Sequence, residues 1–404
     1  MKLRNTILAS TALVGLAGAA AAQEEIYIIN CGTDAEPQVP VQQEAIEAWE
    51  AENPDYTVNL EFVAWGQCQE KATTLASAGN PPAIALMGSR VLMQLADAGL
   101  IRPFDMTEEE LSSYEDSVLQ TVQFDGQVWG LPRAFSTKAL YYNKALFEEA
   151  GLDPESPPET FEELVSASQA ITENTDARGF GMVAASFDAT MHDWLNFVYS
   201  NGGTILGPDG EVTFDTPEVI EALQLYADLV PYSEDGPIAY DRGKLEPLFR
   251  EGQVAMYISG GWGRQRTGDV DYGLALIPHG PSGENGTLLI TDSLVVFEGS
   301  GVEEAATDLA LALTSTEAQS AFDIAGAWTP IRQTQDTDAL IEEDPTWEPF
   351  ITSIPTGGPE PLMLDYVAMQ DAIIEAIQGV ILGEVTAEEA AAEAQEQLEE
   401  LAEE

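Results

Sequence analysis

Residues 130–170, GLPRAFSTKALYYNKALFEEAGLDPESPPETFEELVSASQA, decide the fold. Gly130-Leu131-Pro132 ends one extended segment, and residues 139–143 are short, apolar and aromatic, as a buried strand is. Residues 144–150 read as a helical turn or two stopped by Gly151. Pro157-Pro158 cannot continue a helix, and Glu159-Thr160 opens the next one. The run is therefore strand, strand, helix, stiff connector, helix.

Toward the N-terminus the alternation continues. Strands are expected over 26–30, 58–63, 83–86 and 127–131, with helices near 41–52, 67–78 and 91–98 between them. That order predicts a doubly wound parallel sheet with helices on both faces and a ligand rim at the strands' C-terminal ends. Toward the C-terminus, residues 202–212 read as a small hairpin turning at Pro208-Asp209-Gly210, followed by a helix over 217–230. Phe249-Arg250-Glu251-Gly252-Gln253-Val254-Ala255-Met256 runs from a helix end into a buried strand. A strand over 292–297 and a helix over 302–315 follow.

The opening stretch resembles the hinge and first second-lobe unit of the extracellular solute-binding proteins that serve ATP-driven sugar importers. The resemblance rests on Gly130-Leu131-Pro132, on Tyr142-Asn143-Lys144-Ala145-Leu146-Phe147, and on the run from Glu149-Ala150-Gly151-Leu152 to Leu164. Phe249–Met256 and Trp328-Thr329-Pro330-Ile331-Arg332 carry it further, so it spans essentially the whole mature chain. It implies an α/β, two-lobed (Venus-flytrap) fold, each lobe a mostly parallel sheet with flanking helices, joined by a three-segment hinge. The implied crossings near Ala134, Leu289 and Arg332 divide the chain into residues 23–134 with 290–332, and 135–289 with 333–404. The resemblance also implies a carbohydrate ligand and permease subunits of an ABC importer in the inner membrane as partners. The chain is expected to act as a monomer and to carry no cofactor and no metal.

Residues 1–22 have the form of a secretory leader: Lys2 and Arg4, a short apolar core, then Ala20-Ala21-Ala22. No cysteine sits at the cleavage position, so a periplasmic protein without a lipid anchor is expected. Loss of the leader takes the net charge from −55 to −57. Phosphate backbones demand a basic stripe, so nucleic acid is excluded as a partner. The acidity reads as a solvated coat, suited to a salty habitat. The two cysteines, Cys31 and Cys68, lie just past the ends of two apolar strands. Neighbouring parallel strands would bring both to one edge, where a disulfide is expected in preference to two free thiols.

A sugar presents flat C–H faces and a ring of hydroxyls, so its site needs aromatic platforms and fixed donor and acceptor pairs. Trp262, in the turn Ser259-Gly260-Gly261-Trp262-Gly263, is the first candidate, with Gly261 beside it. Trp65 after the second strand, Trp328 at the third crossing, and Trp194 with His192 at a helix start either line the cleft or pack in a core. Trp49, Trp129 and Trp347 read as structural. Polar candidates are Asp34, Ser89 and Arg90 after strand ends, Ser136 and Thr137 at the first crossing, and Asp292 at the second. Arg90, Arg133, Arg264, Arg266 and Arg332 all fall near the expected cleft. They either pair with carboxylates or seat an anionic sugar derivative, sulfonated or phosphorylated.

A secreted glycoside hydrolase is the rival class. Two histidines leave little room for His-based catalysis or a His-rich metal site. Nucleophile-elbow, zincin and phosphate-loop motifs are absent from the sequence. A glycosidase needs only two carboxylates, and among 70 acidic residues a pair carries no specificity. The chain is read as a binder, not an enzyme.

Overall fold

The computed structural model describes residues 23–186, 188–207, 210–333 and 335–403. The expected leader and the Pro208-Asp209 tip of the expected hairpin lie outside the described residues. Strands Glu24–Cys31 and Tyr56–Val63 pair in parallel from Glu24 opposite Tyr56 to Cys31 opposite Val63. Ile84–Gly88 joins in parallel on the other side, with Ile28 opposite Ile84. Ile26, Ile28, Ile29, Ile84 and Ala85 are fully buried, the signature of strands covered on both faces. Helices Val39–Glu52 and Trp65–Ser77 make the crossovers. The disulfide forms: Cys31, closing the first strand, is bonded to Cys68 in the first turn of the helix after the second, with Cα atoms 5.3 Å apart.

A long return strand, Leu288–Phe297, is buried at every position and runs antiparallel to both Ile84–Gly88 and Leu131–Ser136. The first sheet is thus mixed, where a mostly parallel one was expected. The return strand enters from the other lobe without a crossover helix of this sheet, so its direction is opposite. Gly130-Leu131-Pro132 leads into a strand where an ending was expected. Pro132 sits where the register shifts between Asp292 and Ser293, a bulge that tolerates a residue without an N–H.

The second sheet runs Tyr272–Ala275, Ala139–Asn143, Val254–Ser259, Arg178–Phe180. Its first two pairings are antiparallel and the last is parallel. Asn143 caps helix Lys144–Glu149, and Thr160 with Glu163 forms a capping box on Phe161–Asn174. Helices Asp188–Ser200, Pro217–Leu229, Tyr366–Leu382 and Ala387–Ala402 complete the second lobe's apolar cluster.

The chain leaves the first sheet at Ser136 and enters the second at Ala139. Neighbouring passages are tied together at this point. Thr137 N–H donates to Thr329 Oγ1 at 3.3 Å, Thr137 Oγ1 donates to the Phe350 carbonyl at 2.7 Å, and Lys138 N–H donates to Thr287 Oγ1 at 2.9 Å. Few residues therefore span the lobes, and they are bonded side by side.

Candidate functional site

Between the lobes lies a cleft of about 390 Å³ lined by Trp65, Arg90, Ser136, Lys138, Trp262, Asp292 and Trp328, among others. One wall is aromatic. The Trp262 and Trp328 rings lie 5.2 Å apart and the Trp328 and Trp65 rings 6.2 Å apart, each pair tilted by about 50°. Glycine makes this wall possible: a Cβ on Gly260 would sit 2.2 Å from the Trp262 ring, and one on Gly326 would sit 2.5 Å from Trp328. Trp65 is the most open of the three at 36 %, and Trp328 Nε1 is buried without a hydrogen-bond partner among the described residues.

The opposite wall is charged. Arg90, in the turn after strand Ile84–Gly88, lies 3.6 Å from Asp188, 3.7 Å from Asp292 and 3.9 Å from Glu360. These separations are ionic without being hydrogen bonds. Burial alone would lower the Arg90 guanidinium, yet Glu360, Asp292, Tyr366 and Asp188 together hold it above its ordinary value. Burial raises Asp292 against the pull of Arg90. Burial would also raise Glu360, but His192 and Arg90 dominate and bring it to about 2. Glu360 Oε1 accepts from His192 Nε2 and from Tyr366 Oη, both at 2.5 Å. Its other oxygen is buried with no hydrogen-bond partner among the described residues.

Lys138 occupies the floor, at the first passage between lobes. Its Nζ donates to Ser136 Oγ at 2.9 Å and lies 4.5 Å above the Trp262 ring. Burial, with the Arg242 charge beside it, pushes the amine down to about 7. Arg242 is occupied by Asp193 and Arg266 by Glu246, the latter at 3.1 Å.

Among the sequence candidates, Trp65, Arg90, Ser136, Trp262, Asp292 and Trp328 converge on this cleft. Ser89 is buried behind it with its hydroxyl unpaired among the described residues, and Gly261 abuts the Ala327 carbonyl at the cleft's edge. Four candidates do not face the cleft. Trp194 is wholly buried in the second-lobe core, 5.6 Å from Phe214, because helix Asp188–Ser200 is covered on nearly every side. Thr137 is consumed by the hinge bonds. Asp34 is exposed on its loop, while Glu36 and Gln38 from the same loop reach the cleft. Arg332 stacks 3.6 Å over Tyr114 and binds Ser113 and the Thr314 carbonyl.

Arg133 and Arg264 are likewise struts. Arg133 lies buried over Phe322, and Arg264 lies over Trp347 with Asp344 at 3.1 Å. Trp129, expected to be structural, is partly buried against the first lobe's apolar cluster and stacked 5.4 Å from Phe124. Sequence reasoning missed Lys138, Asp188, Arg242 and Glu360. Lys138 alone had a local signal, a lysine set directly against the apolar strand it precedes.

A sequence model described as bacterial extracellular solute-binding protein matches residues 34–320. A binding protein of Brucella abortus (strain 2308) is 33 % identical over 276 residues, 66 % of each chain, so just under two thirds of that relative's length is spanned. The sn-glycerol-3-phosphate-binding periplasmic protein of the same organism is 30 % identical over 247 residues, 54 % of each chain. Among solved structures, an ABC transporter solute-binding protein of Thermotoga lettingae TMO bound with α-D-tagatose superposes with a TM-score of 0.81 at 26 % identity. That match covers 94 % of this chain and 100 % of the other. The maltose-bound MalE3 of T. maritima gives 0.81 at 22 % identity, covering 93 % and 99 %. With the family model matched across most of its length and the two-lobed architecture shared, the chain belongs to the bacterial extracellular solute-binding protein family.

Proposed function

We propose that the chain is the periplasmic capture component of an ABC importer, and that its cleft takes a neutral carbohydrate. The observation that carries this reading is the pairing of two walls. A tilted tryptophan trio faces Arg90, Asp188 and Asp292, with Glu360 buried behind them, and the charges stand at ionic distances from Arg90 without hydrogen bonds to it. C–H faces stack on the first wall, and hydroxyls bridging Arg90 to the carboxylates would complete the second. The sugar-bound relatives support the class. The lobes are read as residues 23–134 with 290–332 and residues 135–289 with 333–404, the hinge residues Phe135, Ser136, Leu288 and Leu289 lying in strands of the first sheet. Solute touching both raises the closed population by its difference in affinity for the two states. Family membership supports delivery to permease subunits. No catalytic step is assigned to the site.

A second reading, an anionic sugar or polyol derivative, is favoured by Lys138. Among the described residues no carboxylate is paired with it, although Asp188, Asp292 and Glu246 line the same cleft. The glycerol-3-phosphate-binding relative points the same way.

Tryptophan emission tests both, because three indoles line the cleft. Titration with neutral mono- and oligosaccharides should change the emission saturably. A response confined to phosphorylated or carboxylated compounds would replace the first reading with the second. No response to either class would overturn both.

A further inference from the structure

Among the described residues, every ion pair that joins the lobes belongs to one side chain. Arg90 of the first lobe lies 3.6 Å from Asp188 and 3.9 Å from Glu360, both of the second. The other ion pairs stay within a lobe, as Arg242 with Asp193, Arg264 with Asp344 and Arg266 with Glu246 do. At the tryptophan wall the lobes meet through neutral groups. Gln265 Nε2 donates to the Ala325 carbonyl at 3.1 Å, and Gly261 abuts the Ala327 carbonyl.

Both halves of the Arg90 contact are held in place by their own lobes. The guanidinium folds back over Gly88, where a Cβ would sit 2.2 Å from Nη1, and rests 3.7 Å from Asp292 on the strand paired with Gly88. In the second lobe Asp188 opens helix Asp188–Ser200, and Glu360 is fixed by His192 and Tyr366. Parting the lobes leaves Asp292 with Arg90 and takes the cation away from Asp188 and Glu360.

The remaining charge acts in the other direction. Residues 23–134 with 290–332 hold 26 acidic and 5 basic side chains, a net −21, and residues 135–289 with 333–404 hold 44 and 8, a net −36. Nearly all of those carboxylates are at the surface. Their repulsion reaches across the molecule in dilute salt, where the Debye length is about 30 Å at 0.01 M, and fades at 1 M, where it is about 3 Å. The Arg90 side chain is 11 % exposed and that of Glu360 1 %, so their attraction is screened far less. Salt thus removes the opposing force and leaves the holding one.

We propose that Arg90 is an interlobe latch and that ionic strength sets the open–closed balance of the empty protein. Low salt holds the acidic lobes apart, and high salt lets Arg90 close them. Apparent solute affinity then rises with the closed fraction. This rests on capture by lobe closure and is independent of which solute is captured.

The test is pulsed dipolar spectroscopy of the ligand-free mature protein, spin-labelled at Gln43→Cys and Asp269→Cys, exposed positions on opposite lobes. Sodium chloride is raised from about 0.01 M to about 1 M. The long-distance population of wild type should fall about threefold or more over that range. Arg90→Gln should keep a long-distance population about threefold or more above wild type at the high-salt end. Asp188→Asn removes one of the two interlobe pairs while the buried cluster keeps its cation, and should shift in the same direction by a smaller factor. Wild-type distances unmoved by salt while either variant lengthens them, or a salt response identical in all three proteins, overturns the proposal and leaves lobe closure standing. One unchanging distance in all three proteins at every salt concentration overturns lobe closure together with it.

Discussion

Lys138→Met isolates the least accommodated charge in the protein's cleft. The methionine keeps an apolar stem against Trp262 and removes the ammonium. Burial and the neighbouring Arg242 press the Lys138 amine from 10.5 down to about 7, against Asp193, Asp292 and Glu360. Between those values the unfolded lysine holds a proton that the folded one has released. Stability therefore rises with pH across that window, by up to about 1.4 kcal/mol per unit. Integrated from pH 7 to pH 9, the gain is about 2 kcal/mol, and the full window carries roughly 5 kcal/mol. The group is 1 % exposed, so solvent screening does not erode it. Urea unfolding of both proteins at pH 7 and pH 9 reads the effect, and the difference between them cancels titrations they share. Wild type should gain about 2 kcal/mol on Lys138→Met between the two pH values. Equal gains would refute the claim that Lys138 is buried without an ionic partner.

Three further outcomes are expected. Cys31→Ser with Cys68→Ser opens a loop of 37 residues' separation and should cost about 4 kcal/mol by the chain-entropy relation, read by urea midpoint under oxidising conditions. Trp262→Ala removes one end of the tryptophan trio and should weaken carbohydrate binding by about tenfold or more with an unchanged far-ultraviolet spectrum, measured by calorimetric titration. Gly261→Ala places a methyl 2.3 Å from the Ala327 carbonyl across the interlobe contact. Its unfolding midpoint should stay close to wild type while ligand affinity falls, because Gly261 and Ala327 come from opposite lobes and the clash is relieved as the lobes part.

Local pattern carried most of the fold. The strand Ala139–Asn143 falls on the residues read from its aromatic run, and Thr160 caps its helix as Pro157-Pro158 implied. The cysteines needed only the parallel pairing of two neighbouring strands. The mixed sheets were not legible, because strand direction depends on where the chain re-enters and leaves no mark in a ten-residue apolar run. The site divides in the same way. Trp65, Arg90, Asp292 and Trp328 sit at strand ends or crossings, where topology alone brings them to the rim. Glu360 follows no motif and meets Arg90 only through folding across the whole chain. Trp194 looked like a helix-start residue, but its helix is buried nearly all round, so position at the start carried no exposure. Arg133, Arg264 and Arg332 were near the cleft in sequence. Each guanidinium found an aromatic face in the scaffold, a partner invisible without tertiary contacts.

Small-angle scattering of the mature protein, with and without the saccharide that gives the largest tryptophan response, tests capture by lobe closure most directly. The radius of gyration should fall in the bound state, and Trp262→Ala should reach the same contraction only at about tenfold or more higher saccharide concentration. Superimposable curves for free and saturated wild type would contradict it.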